Sequence, residues 1–352
     1  MCFSALAVVL LCNFFEASQA MRIAIDAMGG DHAPDKIIQG AIESLEFLQS
    51  DDEIILVGPE ELLREKLAAV LPAYSNVRIE PASQVIGMDE SPVEAVRQKR
   101  NSSIVRMVKL AAAGGADAII SAGNTGALVA AGVLMLEALP GVERPGIAIP
   151  IPNGHNRVLL CDAGANVQPK PAHLHQYAIL ASVYSQTLYG VETPRVGLLN
   201  IGTEEEKGTA LVKETRLLLE KDAGLNFIGY VEGRDIFNDH CDVVITDGFT
   251  GNVVLKVIEG MGGSLLRTLK GQLAQLPAQT AGELAPIIKN TFNLYDHEEY
   301  GGALLLGVSG LFLKVHGSAG QKAIRNAVHA VKQATRHNIN ARISARLSER
   351  VA

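Results

Sequence analysis

Tryptophan is absent from the 352 residues, and aromatic side chains make up only 5% of them. That argues against base-stacking platforms and against an aromatic sugar-binding site. Basic residues are in the minority: 31 Lys and Arg stand against 38 Asp and Glu, a formal charge of −7. A nucleic-acid binder that works by bulk charge is excluded on that balance. Cysteine is scarce, at Cys2, Cys12, Cys161 and Cys241, and no CxxC pair occurs. Neither a disulfide framework nor metal-ligand spacing is visible, so a reduced cytoplasmic chain is expected. Beyond Met21 no apolar run approaches the ~18 or more residues of a transmembrane span.

The familiar nucleotide and hydrolase motifs are missing too. No GxGxxG exists; the nearest piece, Gly260-Met261-Gly262-Gly263, has Leu265 where the last glycine should stand. No GK[ST] occurs. Gly307-Val308-Ser309-Gly310 runs into Leu311 rather than completing GxSxG, and His297-Glu298-Glu299 runs into Tyr300-Gly301 rather than HExxH. Dinucleotide dehydrogenase, P-loop ATPase, serine hydrolase and zinc protease readings all lose support. No metal and no cofactor is expected.

What is present is glycine, 34 residues against a usual share of about 7%. Apolar residues at 48% and charged residues at 20% are a globular composition, which excludes disorder as the main state. The length suits one large α/β domain or two smaller ones. Residues 1–20 carry an apolar run from Phe3 to Phe15 and a small-x-small pair, Ser18 and Ala20, but no basic residue before Arg22. Signal peptide, membrane anchor and a start called too early compete there; the preferred expectation is a natural start at Met21, which opens a strand-like segment.

Short β-branched runs at 22–27, 53–57, 77–80, 117–121, 147–151, 158–162, 195–200, 226–230 and 242–246 alternate with helical patterns at 35–49, 60–70, 91–113, 171–188 and 207–221. The alternation predicts βαβ units on a largely parallel sheet with helices on both faces. Gly154-His155-Asn156 reads as a hairpin loop, and residues 264–297 as a helical excursion without strands. The expected organisation is a leader or miscalled start over 1–20, one α/β domain over 21–335 and a basic helical tail over 336–352.

The strand ends share a vocabulary. Met28-Gly29-Gly30-Asp31-His32, Ser121-Ala122-Gly123-Asn124-Thr125, Asp162-Ala163-Gly164-Ala165-Asn166, Asn200-Ile201-Gly202-Thr203-Glu204 and Asp247-Gly248-Phe249-Thr250-Gly251-Asn252 each follow a strand candidate. Ligands of open α/β sheets bind beyond the carboxyl ends of strands, where glycines and helix N-termini approach anions. Any one loop is equally a turn and a helix cap. Together, at one sheet edge, they predict a phosphate site. Lys99, Asn101 and Ser102, within Arg97–Ser103 of a helical pattern, are either phosphate ligands or a solvated helix face. Lys207, after Glu204-Glu205-Glu206, is a cleft ammonium or part of an ordinary first turn. His32, and after it His316, are the best-placed histidines for acid–base work.

These segments resemble the bacterial phosphate acyltransferase family, PlsX. The likeness begins at Met21-Arg-Ile-Ala-Ile-Asp-Ala-Met-Gly-Gly-Asp-His-Ala-Pro34. It continues through Arg97–Ser103, Ser121–Ala127, Asp162–Val167, Leu198–Glu204, Thr246–Asn252, Tyr300–Ala303 and His316-Gly-Ser318, to about Val331. It implies a Rossmann-like fold similar to phosphate acetyltransferases and the isocitrate/isopropylmalate dehydrogenase-like group. It implies transfer of a fatty acyl group from acyl carrier protein to inorganic phosphate, the product feeding glycerol-3-phosphate acylation. It also implies a homodimer at the cytoplasmic membrane face, near the downstream glycerol-3-phosphate acyltransferase.

Such chemistry needs a held dianion and a stabilised oxyanion rather than a metal or a covalent nucleophile. On this footing Ser121, Gly123, Asn124 and Thr125 are expected in the phosphate site, with Lys99 or Lys207 adding charge. Gly29, Gly30, Asp31, Thr203, Glu204, Gly248 and Thr250 complete the candidate loops. Asp26, Asp162 and Asp247 are expected to orient donors, and Asn166, Asn200 and Asn252 to hydrogen-bond phosphate or thioester. His32, Asn124 and Lys207 are the candidate catalytic residues. Two surface features bear on partners. Lys322, Arg325, Lys332, Arg336, Arg342, Arg346 and Arg350, with Glu349 as the one acid from 321 on, form either a carrier-protein dock or a solvated helix. Leu265, Leu266, Leu269, Leu273 and Leu276 form a stripe for a membrane interface or for dimer packing. Alternatives to the family reaction are a short-chain acetyl- or butyryltransferase using coenzyme A thioesters, a non-catalytic membrane scaffold and, remotely, a metal-dependent 2-hydroxyacid dehydrogenase.

Overall fold

The computed structural model describes residues 20–68, 74–154, 156–295 and 301–349. The nine predicted strands appear in sequence order as β1 (Arg22–Asp26), β2 (Glu53–Gly58), β3 (Val77–Pro81), β4 (Ala118–Ser121), β5 (Gly146–Pro152), β6 (Arg157–Cys161), β7 (Arg195–Leu199), β8 (Asn226–Val231) and β9 (Val243–Ile245). Two more, β10 (Ala303–Leu306) and β11 (Leu311–Lys314), were not expected. Each is only four residues long and almost wholly apolar, a pattern without a period to read. Gly307 at φ +94° and Gly310 at φ +124° turn the chain between them.

All eleven strands form one sheet in the order β3-β2-β1-β4-β11-β10-β5-β6-β9-β7-β8. Neighbours are parallel from β3 to β11 and from β6 to β8. The β11–β10, β10–β5 and β5–β6 pairs are antiparallel. The two parallel halves therefore run in opposite directions. This corrects the expectation of one shared edge: the carboxyl ends of β1 and β4 belong to one half, those of β6, β7 and β9 to the other. The hairpin joining β5 to β6 is closed by Asn156 N–H donating to Asn153 Oδ1 at 2.7 Å; His155 lies outside the described residues.

Helices follow as α1 (Asp35–Glu43), α2 (Glu60–Leu67), α3 (Pro92–Gln98), α4 (Ser103–Ala112), α5 (Thr125–Met135), α6 (Pro171–Tyr189), α7 (Ala210–Glu220), α8 (Gly248–Leu273), α9 (Ala278–Asn293), α10 (Gln321–Arg336) and α11 (Ile339–Ser348). The pattern over 91–113 is two helices, because Ser102 adopts an extended backbone and caps α4. The helical excursion begins at Gly248, well before 264; its last expected residues, 296 and 297, lie outside the described set.

Alternation along each strand divides the core. Ile23, Ile25, Ile54, Leu56, Leu159, Cys161, Val243 and Ile245 share one cluster, continuous from the first half of the sheet to the second. On the other face Ala24, Ile55, Val57 and Ile119 belong to a cluster with α3, α4 and α5, while Val158, Leu160 and Val244 belong to a separate one. Ile149 of β5 lies partly buried against both. That face is thus interrupted where the halves meet. Helix α11 is fastened to the body by buried Ile339, Ile343 and Leu347. Among the described residues, no helix is long and apolar enough to cross a membrane.

Candidate active site

Around β1 and β4 the glycines let loops interlock. A β-carbon on Gly29 would stand 2.5 Å from Asp26 Oδ2 and 2.6 Å from Gly123 N. Gly30, at φ +97°, would bring one within 2.8 Å of Gly317 O, and Asp31 N–H donates to that carbonyl at 2.8 Å. The buried Asp26 carboxylate accepts from Ser121 Oγ at 2.8 Å and from Met28 N–H at 3.2 Å. Burial pushes its carboxyl up, against hydrogen bonds from Ser103 and Ser121 and the charge of Lys314. Ser121 Oγ in turn accepts from Gly123 N–H at 3.0 Å.

Asn124 is an N-cap and a tether. Its Oδ1 accepts from Ala127 N–H at 3.0 Å, and its Nδ2 donates to the carbonyls of Gly87, Met88 and Glu90 at 3.0, 3.3 and 3.2 Å. Lys99 holds the same loop, donating to Val85 O at 2.8 Å and Glu90 Oε1 at 2.6 Å. Asn101 N–H donates to Gln84 Oε1 at 3.1 Å, and Ser102 Oγ accepts from Val105 N–H at 3.4 Å. The Asn124 and Lys99 side chains thus fasten residues 85–90 over the start of α5, while Ser102 caps α4.

Asp162 organises the second half. Its carboxylate accepts from the N–H groups of Ile147, Gly164, Ala165 and Asn166 at 3.0, 3.0, 2.9 and 2.7 Å. Burial pushes the carboxyl up and those donors pull it down. Asn166 Nδ2 donates to Pro145 O and Tyr177 Oη, both at 2.7 Å. Gly251 touches this loop so closely that a β-carbon would fall 1.9 Å from Asp162 O, and Gly248 would bring one 2.7 Å from Asn166 O. Asp247 caps α8, accepting from Thr250 N–H at 2.9 Å and Thr250 Oγ1 at 2.7 Å.

A cavity of about 110 Å³ opens at the interruption between the halves. Its apolar walls include Ile147, Ile149, Pro150, Leu255 and Ala303. Its polar groups are Thr125, Asn252, Lys256, Glu259, Lys314 and His316. Of the residues expected from sequence, Thr125 and Asn252 reach it, with His316, the second-ranked histidine. His32, Thr203, Glu204 and Lys207 do not line it. Asn200 instead closes its own loop, donating from Nδ2 to Lys207 O at 3.3 Å.

Lys256, Glu259 and Lys314 were missed. The first two were findable: they stand four and seven positions after Asn252, one face of a helix. Lys314 was hidden because its strand was not assigned. Lys256 Nζ lies 2.6 Å from Glu259 Oε2, and His316 Nε2 lies 3.2 Å from that Nζ and 3.5 Å from that carboxylate oxygen. Ser318 N–H donates to His316 Nδ1 at 3.2 Å. Burial works against ionisation of Glu259, yet the hydrogen bonds from His316 and Lys256 hold it down at about 2. Burial, and then Lys256, push the half-buried Lys314 down to about 8, against the charges of Asp26, Glu259 and Asp31. Cys161 and Cys241 are buried and their thiols pushed up, so neither is primed as a nucleophile.

The model of the fatty acid synthesis protein family matches residues 21–342. A phosphate acyltransferase of Desulfitobacterium hafniense is 49% identical over 317 residues, 89% of this chain and 93% of its own. One of Bacillus subtilis is 42% identical over 332 residues, 94% of this chain and 98% of its own. Among solved structures, a phosphotransacetylase from Streptococcus pyogenes superposes with a TM-score of 0.59 at 17% identity, covering 91% of this chain and 95% of that one. A branched-chain phosphotransacylase from Enterococcus faecalis gives 0.53 at 15% identity, covering 90% and 99%. At such identities the structures speak for the fold alone.

Proposed function

The chain belongs to the fatty acid synthesis protein family of phosphate acyltransferases, and from that premise we propose that it transfers a fatty acyl group from acyl carrier protein to inorganic phosphate. The product is an acyl phosphate, used next to acylate glycerol 3-phosphate. The observation that carries this reading is the cavity: apolar walls meet Lys256, Lys314 and His316 beside the first residue of α5. Cations and a helix N-terminus attract phosphate, and apolar walls suit an alkyl chain. Phosphate then attacks the thioester held against fixed donors, which supplies proximity and charge stabilisation.

A short-chain reaction with coenzyme A thioesters is the second reading, favoured by the fold shared with phosphotransacetylases. Homodimer formation and peripheral attachment to the inner membrane face, close to the acyltransferase that consumes the product, belong to the same proposal. The apolar residues exposed on α8 and α9, among them Met261, Leu265 and Ile287, support it. For the carrier protein, the basic C-terminal helices offer less than their charge suggests. Lys332 is buried against Asp52 at 2.9 Å, Arg325 pairs with Glu46 and Arg346 with Glu349, while Arg350 lies outside the described residues.

Mass spectrometry of palmitoyl-acyl carrier protein incubated with and without phosphate tests the reaction. Acyl phosphate and free carrier are expected only with phosphate present. Turnover confined to acetyl-coenzyme A in a parallel tube would move the chain to the short-chain class, and none with either donor would overturn both.

A further inference from the structure

The proposed acyl transfer must dispose of a sulfur leaving group. When a phosphate oxygen forms the new C–O bond and the C–S bond breaks, the electron pair departs on sulfur. Hydrogen phosphate carries one proton that the acyl phosphate dianion does not keep. That proton must end on the carrier thiol. A thiolate released beside Glu259 and the acyl phosphate dianion would add further negative charge to a partly buried site, a costly arrangement.

Lys314 ends β11 and is paired in register with Ser121 of β4. Ser121 donates to the buried Asp26, so the ammonium lies in the field of that carboxylate. Its side chain lines the cavity together with Thr125, Asn252, Lys256 and His316. The charged groups facing it are Asp26 of β1, Asp31 of the following loop, and Lys256 and Glu259 of α8, with His316 alongside in the cavity wall. Lys256 is already engaged with Glu259, and the Nε2 of His316 is turned toward the same carboxylate. Lys314 Nζ donates to the neighbouring carbonyl of Val315.

We propose that Lys314 is a catalytic residue of this acyl transfer, on which the assignment rests, and that it delivers the proton to the departing sulfur. Its N–H bond breaks as the S–H bond forms, leaving a neutral amine. The amine then takes the proton released from the phosphate oxygen, and the ammonium is restored. No further reactant is consumed: acyl thioester and hydrogen phosphate give acyl phosphate dianion and free thiol. An ammonium lowered to about 8 is well matched to an ordinary thiol, near 8.5. It is mostly charged at neutral pH and gives up its proton more readily than a solvated lysine.

The decisive experiment varies the leaving group. Lys314→Met and Lys314→Arg are compared with wild type on palmitoyl-acyl carrier protein and on the palmitoyl thioester of p-nitrothiophenol, whose thiolate departs without protonation. The carrier substrate should lose about 10²-fold or more in kcat in both variants, the range of one general acid. With the activated thioester the loss should shrink to within a few-fold. Lys314→Arg keeps the charge but holds its proton too firmly to donate it. For wild type, kcat should fall as pH rises through about 8, because the protonated amine is the active form; that limb should be absent from Lys314→Arg. Equal losses on both thioesters, or an Arg variant as active as wild type, would overturn the assignment. A wild-type protein inert toward palmitoyl-acyl carrier protein would sink the parent reading instead, and thermal unfolding of each variant separates lost chemistry from lost structure.

Discussion

The sheet body and the arm formed by α8 and α9 are built on different rules. In the body, strands such as β1 and β2 bury alternate residues into clusters on both faces. In the arm, α8 buries only Gly248 and Gly251, both at its root, and α9 buries no residue at all. Yet the arm is not polar: Val257, Met261, Leu265, Leu284 and Ile287 stand exposed. Only Leu266, Leu269 and Leu273 of the leucine stripe are half-buried. One helix thus changes character along its length. Its first turn is wedged under Asp162, its next two turns present Asn252, Lys256 and Glu259 to the cavity, and its remainder extends beyond the core. Burial is the distinction between an apolar side chain that stabilises the fold and one that is left for a partner.

The comparison predicts where the molecule is brittle. Lys332 and Asp52 are buried together, and Lys332 also reaches the carbonyl of Phe47. Replacing Lys332 with Met should cost about 3–5 kcal/mol of unfolding free energy, since a buried carboxylate loses its counter-charge. Urea denaturation measures it. Burial would raise the Asp52 carboxyl, but Gln49 N–H, Lys332 and Met21 N–H hold it below its ordinary range. A depressed carboxyl contributes stability above its unfolded value, near 3.9, and that contribution drains away as pH falls through the lower folded value. The acid limb of stability in the wild type should therefore be steeper than in Asp52→Asn.

Glycine contrasts the two ends of α8 directly. Gly251→Ala forces a β-carbon onto the Asp162 carbonyl and should cost about 3 kcal/mol. Gly262→Ala, further along the same helix, meets nothing within 4 Å and should gain roughly 0.5–1 kcal/mol from helix propensity. Equal effects at the two positions would show that the arm is packed as tightly as its root. The smallest effect belongs to the arm surface: Leu265→Ser should alter stability by less than about 0.5 kcal/mol, while lowering co-sedimentation with anionic phospholipid vesicles. A large loss of stability would instead place Leu265 in an interface that folding requires.

The strands that could be located in advance were those with β-branched runs flanked by turn residues, such as Glu53–Gly58 and Arg157–Cys161. Their local chemistry matches their final environment. β10 and β11 could not be located, since four mostly apolar residues beside a glycine turn suit a strand or a buried helix alike. The same limit governed the site. Asn124 and Lys99 serve as cap and tether, and Asp162, expected to orient donors, accepts from backbone N–H groups. Thr125 and Asn252, in the same motifs, do reach the cavity.

Sequence by itself determined the class of fold, the glycine-rich strand ends and the family likeness, because turn chemistry, strand period and motif spacing are local. Tertiary structure alone decided that the hairpin of β10 and β11 inserts between β4 and β5, since its partners lie far earlier in the chain. It also decided which basic side chains meet. Lys256, Lys314 and His316 come from a helix, a strand end and a loop, and only strand pairing across the seam brings them around one cavity.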